Sequence, residues 1–298
     1  MDHPRRVLLL ASAGSRRGAR ALREAEALLR EAGADVHAHL CAKGEPVDEA
    51  ARDRAPGRDA IVLAGGDGTI SRAANAVIAS GLPLGVVPAG TANDLARTLG
   101  IPTDVPGAVR VILDGRTAPV DVGDVNGHGF FNVASIGLSG DLARALSPGA
   151  KRRFGRLAYA EAALRTLLTA RPFRARIVRD GPGASEPVRV RTYQIAVGNG
   201  VLYGGGNVVA EDAAIDDASL DLYSLEMRGV WKLVFMLRAF RSGTHGTWRE
   251  VRTDRGTGFE VRTARPRSVN ADGEIVTRTP ARFSVRPAAL RVFVPADR

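Results

Sequence analysis

The sequence predicts an α/β N-terminal region built on a parallel sheet, followed by a mainly β C-terminal region suited to a sandwich or barrel. Three observations predict it. From Val7 to Asp114, short apolar runs alternate with helical patterns, the order that gives a parallel sheet covered by helices. Beyond Pro119 the pattern changes to short strands separated by Gly-rich turns. No repeat and no long flexible linker intervenes, so the change marks a boundary near residue 118, with domains 1–118 and 119–298 and a cleft between them.

In the first region, strands are expected at Val7 to Ala11, Asp35 to Cys41, Ala60 to Ala64 and Leu84 to Pro88. Helices are expected at Ala19 to Ala32, Val47 to Arg54, Ile70 to Ser80, near Leu95, and across Val105 to Asp114. In the second region the expected strands are Val120 to Val125, Gly129 to Ile136, Arg174 to Arg179, Val188 to Gly198, Leu220 to Leu225, Phe259 to Thr263 and Ala281 to Val285. Two helical stretches, Arg153 to Ala170 and Val230 to Arg241, interrupt them.

The 298 residues, 45% of them hydrophobic, suffice for an ordinary buried core. The single cysteine, Cys41, excludes an intramolecular disulfide and suits a reducing cytoplasm, and no Cys/His cluster has zinc-ligand spacing. The apolar run after Arg5 and Arg6 is too short for a signal peptide. No stretch reaches the roughly 18 to 20 apolar residues needed to cross a bilayer, so any membrane contact is peripheral. The net charge of +10 favours polyanions in general. Basic stretches without interleaved aromatics, and the absence of familiar nucleic-acid motifs, argue against nucleic acid. Of the 42 basic residues only Lys43, Lys151 and Lys232 are lysine, a bias that a GC-rich genome explains.

Chemistry concentrates at two strand-to-helix turns. Gly65-Gly66-Asp67-Gly68-Thr69 follows one expected strand and opens a helix. Its glycines let a phosphate approach the main-chain N–H groups at the positive end of the helix dipole. Asp67 is unfavourable beside a phosphate unless a cation such as Mg²⁺ lies between them. Gly90-Thr91-Ala92-Asn93-Asp94 repeats the arrangement on the next strand, Thr91 and Asn93 offering polar groups and Asp94 a second carboxylate. Helix capping accounts for either turn alone; the pair points to nucleotide phosphates. A Walker loop, a G-x-G-x-x-G opening, protein-kinase signatures and a G-x-S-x-G elbow are all absent from the sequence.

These two turns, the second continuing through Leu95-Ala96-Arg97, resemble the paired signature of the diacylglycerol kinase catalytic family. Asp121-Val122-Gly123, Asn199, Tyr203-Gly204-Gly205-Gly206, Asp216-Asp217 before Leu220-Asp221, and Asp272-Gly273-Glu274 follow in the family's order across nearly the whole chain. The first turn alone also resembles NAD kinases and phosphofructokinases.

The resemblance implies an N-terminal α/β domain of the NAD-kinase-like, Rossmann-like kind and a C-terminal β-sandwich domain. It places the active site between them and allows a return of the last strand to the first domain. It implies ATP and Mg²⁺ as cofactors, and a membrane lipid hydroxyl, diacylglycerol or a related lipid alcohol, as acceptor. By match Glu274 is the general base, with Asp67 and Asp94 completing the catalytic set. Gly65, Gly66, Asp67, Gly68, Thr69, Gly90, Thr91 and Asn93 would hold nucleotide, joined by Ser15 and Arg16 from the basic loop Ser12 to Gly18. Asp67, Asp94 and Asp121 would surround magnesium. Asp217 resembles the aspartate of a structural metal site that also uses carbonyls near Ala214 and Ser219. Asn199 and Gly204 to Gly206 would line the lipid side of the cleft.

The chain departs from the family's pattern where the Ser12 to Gly18 loop replaces an Asn-Pro start, where Cys41 replaces a threonine, and where Ala218 replaces a glycine. A nucleotide-binding regulator without turnover and an NAD-kinase-like enzyme are the alternatives. The expected location is the cytoplasm, peripheral to the inner face of the membrane, with the oligomeric state open and a homodimer allowed. Two segments are candidates to dock an anionic leaflet. In one, Arg144, Lys151, Arg152, Arg153 and Arg156 precede Leu157 to Leu168; in the other, Trp231, Phe235 and Phe240 lie among Lys232, Arg238 and Arg241.

Overall fold

The computed structural model describes residues 4–138, 140, 169–180, 186–200, 202–203, 207–208, 214–227 and 251–298. The N-terminal elements are β1 (Arg6–Ser12), α1 (Arg16–Glu31), β2 (Asp35–Cys41), α2 (Val47–Arg54), β3 (Ala60–Gly65), α3 (Asp67–Ser80), β4 (Leu84–Pro88), α4 (Asp94–Thr98) and α5 (Val105–Leu113). There follow β5 (Thr117–Val125), β6 (His128–Phe130), β7 (Val133–Gly137), β8 (Phe173–Asp180), β9 (Val188–Thr192), β10 (Gln194–Gly198), β11 (Leu202–Tyr203) and β12 (Asn207–Val208). The last are β13 (Leu220–Leu225), β14 (Val251–Gly256), β15 (Gly258–Thr263), β16 (Ser268–Ala271), β17 (Glu274–Arg278) and β18 (Ala281–Phe293).

Strands β2, β1, β3 and β4 lie in that order and pair in parallel. Val7 to Ala11 and Ala60 to Gly65 are buried along their whole length, as strands covered on both faces must be. Strand β18 pairs in parallel with β4 through Val292 and Leu84, and antiparallel with β5 and β15. The sheet then runs on through β8 to β9, a mixed ten-stranded layer. A second, antiparallel sheet has the order β14-β13-β10-β7-β16-β17. Phe130, Ile136, Ile195, Phe259 and Phe283 form a buried core shared by strands of the two sheets. The fold is therefore a parallel sheet with helices in the N-terminal part and an antiparallel β-sandwich in the C-terminal part.

Several elements differ from the sequence reading. Helix α3 starts at Asp67 rather than Ile70, because Gly66 serves as its N-cap. The strand expected over Gly129 to Ile136 breaks at Phe131 and Asn132, whose N–H groups leave the ladder for a side chain described below. The run Val188 to Gly198 breaks at Tyr193, which donates its N–H to the Leu225 carbonyl. Strand β18 extends well past Val285, with a register shift between Arg286 and Leu290. Strands β14, β16 and β17 were not expected from the sequence. The helical stretches around 153–170 and 230–241 lie outside the described residues but for the end of the first. Among the described residues, no helix is long and apolar enough to cross a membrane.

Asp121 fastens three segments together. One carboxylate oxygen accepts the N–H of Ala218 at 2.6 Å, and the other that of Ala288 at 2.7 Å, while the Asp121 N–H donates to the Ile215 carbonyl. Both alanines have left-handed backbones, φ 56° at Ala218 and 48° at Ala288, which costs an L-residue roughly 1–2 kcal/mol each. The buried Asp121 carboxylate offsets that strain. Asp121→Ala leaves two N–H groups without their acceptor and should lower unfolding free energy by about 3 kcal/mol in urea titration. Ala218→Gly, which removes one strained Cβ, should raise it by up to about 1 kcal/mol.

Candidate active site

The two glycine turns meet backbone to backbone. The Ala89 N–H donates to the Gly65 carbonyl at 2.9 Å, continuing the β3–β4 pairing into the turns. A Cβ placed on Gly66 would come within 2.9 Å of the Gly90 Cα, and one on Gly90 within 2.6 Å of the Gly66 Cα. No side chain fits between them. Asn93, in the left-handed region at φ 53°, closes its own turn by accepting the Gly90 N–H at 2.9 Å. Asp67 accepts the Leu95 N–H at 3.2 Å, so the first turn caps the helix of the second. Asp94 is buried at the start of that helix, and Thr91 lies exposed. Thr69 packs over Gly65, where a Cβ would meet its side chain at 2.7 Å.

The loop after β1 lies at the same carboxyl end, since Ser12 is level with Cys41 and Ala11 with Ala64. Ser15 caps α1 by accepting the Gly18 N–H at 3.1 Å, leaving Arg16 and Arg17 exposed beside it. Cys41 is buried at the edge of this loop, and burial pushes its thiol up.

Glu274 arrives from the C-terminal sandwich. Asp272 and Gly273 both have positive φ, 46° and 95°, a pairing typical of the tight hairpin turn that here joins β16 to β17. The Asp272 carboxylate accepts the N–H groups of Phe131 at 2.7 Å and of Asn132 and Val133 at 3.0 Å. Burial pushes the Asp272 carboxyl above its ordinary range, while these three N–H groups and the Ser71 hydroxyl of α3 pull the other way. The hairpin is thus pinned to the β6–β7 junction. Glu274, the next residue but one, is half exposed, with Oε1 3.3 Å from Arg72 Nη1. A Cβ on Gly68 would lie 3.6 Å from that same oxygen. The catalytic candidate and the first glycine turn, far apart in sequence, are therefore neighbours.

Other candidates lie differently. Asp121 has both oxygens on backbone N–H groups, as described above. Asp217 accepts the N–H groups of Ala214 at 3.2 Å and Ser219 at 2.9 Å, and the Arg255 guanidinium of β14 sits directly on its Oδ2. The positive charge that a structural metal would bring there is supplied by a side chain, and an ion would have to displace it. Asn199, buried, donates to the carbonyls of Asp121 and Phe131, and so holds backbone. Gly204 to Gly206 and both candidate leaflet-docking segments lie outside the described residues. Sequence reasoning missed Arg72, Ser71 and Arg255. The first two lie four and three residues beyond Gly68 on the same helix, a spacing that puts them on the same face of α3; nothing in the sequence signals Arg255.

Two glycine turns on neighbouring parallel strands are thus faced by a carboxylate from the β-sandwich, an arrangement that the comparisons with known proteins place in the NAD-kinase-like class. Residues 5–125 match the diacylglycerol kinase catalytic domain, and residues 132–294 the YegS C-terminal NAD kinase beta sandwich-like domain. A diacylglycerol kinase of Mycobacterium tuberculosis is 34% identical over 81% of this chain and 78% of its own length. A YegS-like lipid kinase of Klebsiella pneumoniae is 31% identical over 93% of this chain and 92% of its own. The crystal structure of a diacylglycerol kinase from Bacillus anthracis superposes with a TM-score of 0.78 at 23% identity, covering 99% of this chain and 98% of that one. The chain belongs to the diacylglycerol kinase catalytic domain family, the bacterial lipid kinases, and is a kinase.

Asp272→Ala should release the hairpin: amide hydrogen exchange at Phe131, Asn132 and Val133 should accelerate by at least about tenfold, while exchange in β1 and β3 stays slow. At Asp217, a chelator should leave the melting temperature of the wild-type protein unchanged, whereas Arg255→Met should lower it.

Proposed function

We propose that the protein transfers the γ-phosphate of ATP to the hydroxyl of diacylglycerol or a related lipid alcohol, with Glu274 as general base. The observation that carries this reading is the position of Glu274 Oε1 over Gly68, within reach of a phosphate bound at the Gly65 to Thr69 turn. Phosphoryl transfer asks chiefly for alignment and neutralised charge. In this reading Gly65, Gly66 and Gly68 offer main-chain N–H groups to phosphate, Thr69, whose own N–H donates to the Gly66 carbonyl, offers its hydroxyl, Gly90, Thr91 and Asn93 frame the second turn, and Ser15 and Arg16 close the β1 side. Glu274 accepts the acceptor's proton as its oxygen attacks, and the Arg72 guanidinium orients the carboxylate.

Asp67 and Asp94, carboxylates at two adjoining strand ends, fit a hard divalent cation. Mg²⁺ held there would neutralise charge on the transferring phosphates. Asp121 has each carboxylate oxygen on a backbone N–H group, and Asp217, occupied by Arg255, stands outside this set. The acceptor lies in a bilayer, so the reading includes peripheral contact with the inner face of the cytoplasmic membrane.

The test is ADP release from ATP and Mg²⁺ on mixed micelles with and without diacylglycerol. Release should depend on the lipid and fall by about 10²-fold or more in Glu274→Ala, and Asp94→Ala should abolish it. Gly90→Ala, which forces the two turns apart, should weaken ATP binding measured by calorimetry. Wild type that binds ATP yet turns over neither lipid alcohols nor NAD would be a binding module, and the kinase assignment of the site would fall.

A further inference from the structure

Away from the glycine turns, the ten-stranded sheet ends in β15, β8 and β9, separated from β4 by β18. Along these strands the buried side chains alternate with arginines. Phe173, Ala175 and Ile177 of β8, Val190 of β9 and Val261 of β15 face the sandwich core. Arg174, Arg176, Arg189, Arg191 and Arg262, between or beside them, are all exposed. Register places them against one another: Arg174 opposite Arg191, and Arg176 between Arg189 on one side and Arg262 on the other. Together with Thr263 they line a shallow groove of about 540 Å³.

Like charges directly opposite in a sheet destabilise it. Arg262 has a partner in Glu260 at 2.6 Å. Among the described residues, no carboxylate lies within ion-pair distance of Arg174, Arg176, Arg189 or Arg191. Charge on the outermost strand can serve to block edge-to-edge aggregation. That accounts for Arg189 and Arg191 but not for the arginines of β8 and β15, which are interior strands. A face assembled against its own repulsion implies an anionic partner, and guanidinium groups grip phosphate oxygens in pairs. The face carries no aromatic side chain on which a base could stack, which disfavours single-stranded nucleic acid.

We propose that the arginine face of β15, β8 and β9 docks on an anionic bilayer, its guanidinium groups holding phospholipid headgroups. The proposal rests on the lipid-kinase reading, which puts the acceptor in such a bilayer. Its residues are other than those of the segments 144–168 and 231–241. Each basic residue near an anionic leaflet contributes about 1 kcal/mol, roughly a fivefold gain in binding.

The experiment compares the full chain with a variant combining Arg174→Gln, Arg176→Gln, Arg189→Gln and Arg191→Gln, and with a second variant changing the same four residues to Lys. Binding is measured by co-sedimentation with vesicles of phosphatidylglycerol and phosphatidylcholine in equal parts, and with pure phosphatidylcholine. Activity is measured on diacylglycerol in neutral detergent micelles. Wild type should bind the phosphatidylglycerol vesicles, less tightly as salt rises, and ignore phosphatidylcholine. The Gln variant should bind at least about tenfold more weakly with unchanged micelle activity, and the Lys variant, which keeps the charge, should retain most of the binding. Equal vesicle binding by wild type and the Gln variant would overturn the proposal, as would arginine-dependent binding of single-stranded RNA without vesicle binding. Failure of the kinase reading shows separately, as absent lipid-dependent turnover in the micelle assay.

Discussion

The site depends on the partly buried carboxylate of Asp272. The base candidate belongs to one β-sheet and the glycine turns to another, so alignment of Glu274 with Gly68 is set by whatever fixes the β16–β17 hairpin. Asp272 does this through three backbone N–H groups at the β6–β7 junction. A carboxylate without those donors would not tolerate such burial. The break in the strand at Phe131 and Asn132 is the other half of the arrangement, since paired ladder N–H groups could not serve it.

The glycine turns obey a different constraint, contact between main chains. Gly66 and Gly90 lie so close that a methyl group on either would strike the other's Cα. Polar side chains then complete the turns: Asn93 within the second, and Asp67 from the first onto Leu95. Asp67 and Asp94 are consequently held by the same framework that exposes the N–H groups. Arg255 on Asp217 shows the complementary solution, in which a side-chain cation meets a carboxylate at a turn carrying a left-handed alanine.

Much of the N-terminal fold was legible because its signals are local. The apolar runs of β1, β3 and β4 are buried on both faces, and the helices between them carry recognisable periodicity. In the C-terminal part the signals are tertiary. Strand β14, Val-Arg-Thr-Asp-Arg-Gly, has little apolar alternation and is a strand because β13 pairs with it. Strands β16 and β17 are short and polar, so Asp272-Gly273 reads as a turn without its arms. Pro287 and the left-handed Ala288 hide the continuation of β18. The residues of both glycine turns and Glu274 could be named in advance, but not their neighbours Arg72 and Ser71, which acquire meaning only when the hairpin is placed beside α3.

Strand β18 has a consequence for the order of assembly. It fills the place next to β4, yet Leu84 and Val292 lie far apart in the sequence. During synthesis the parallel strands must wait with that edge uncovered until the residues of β18 have emerged. Contacts of such long sequence separation slow folding, and an uncovered edge strand invites pairing with another chain. Until then the β4 edge of the nascent parallel half is open to such pairing.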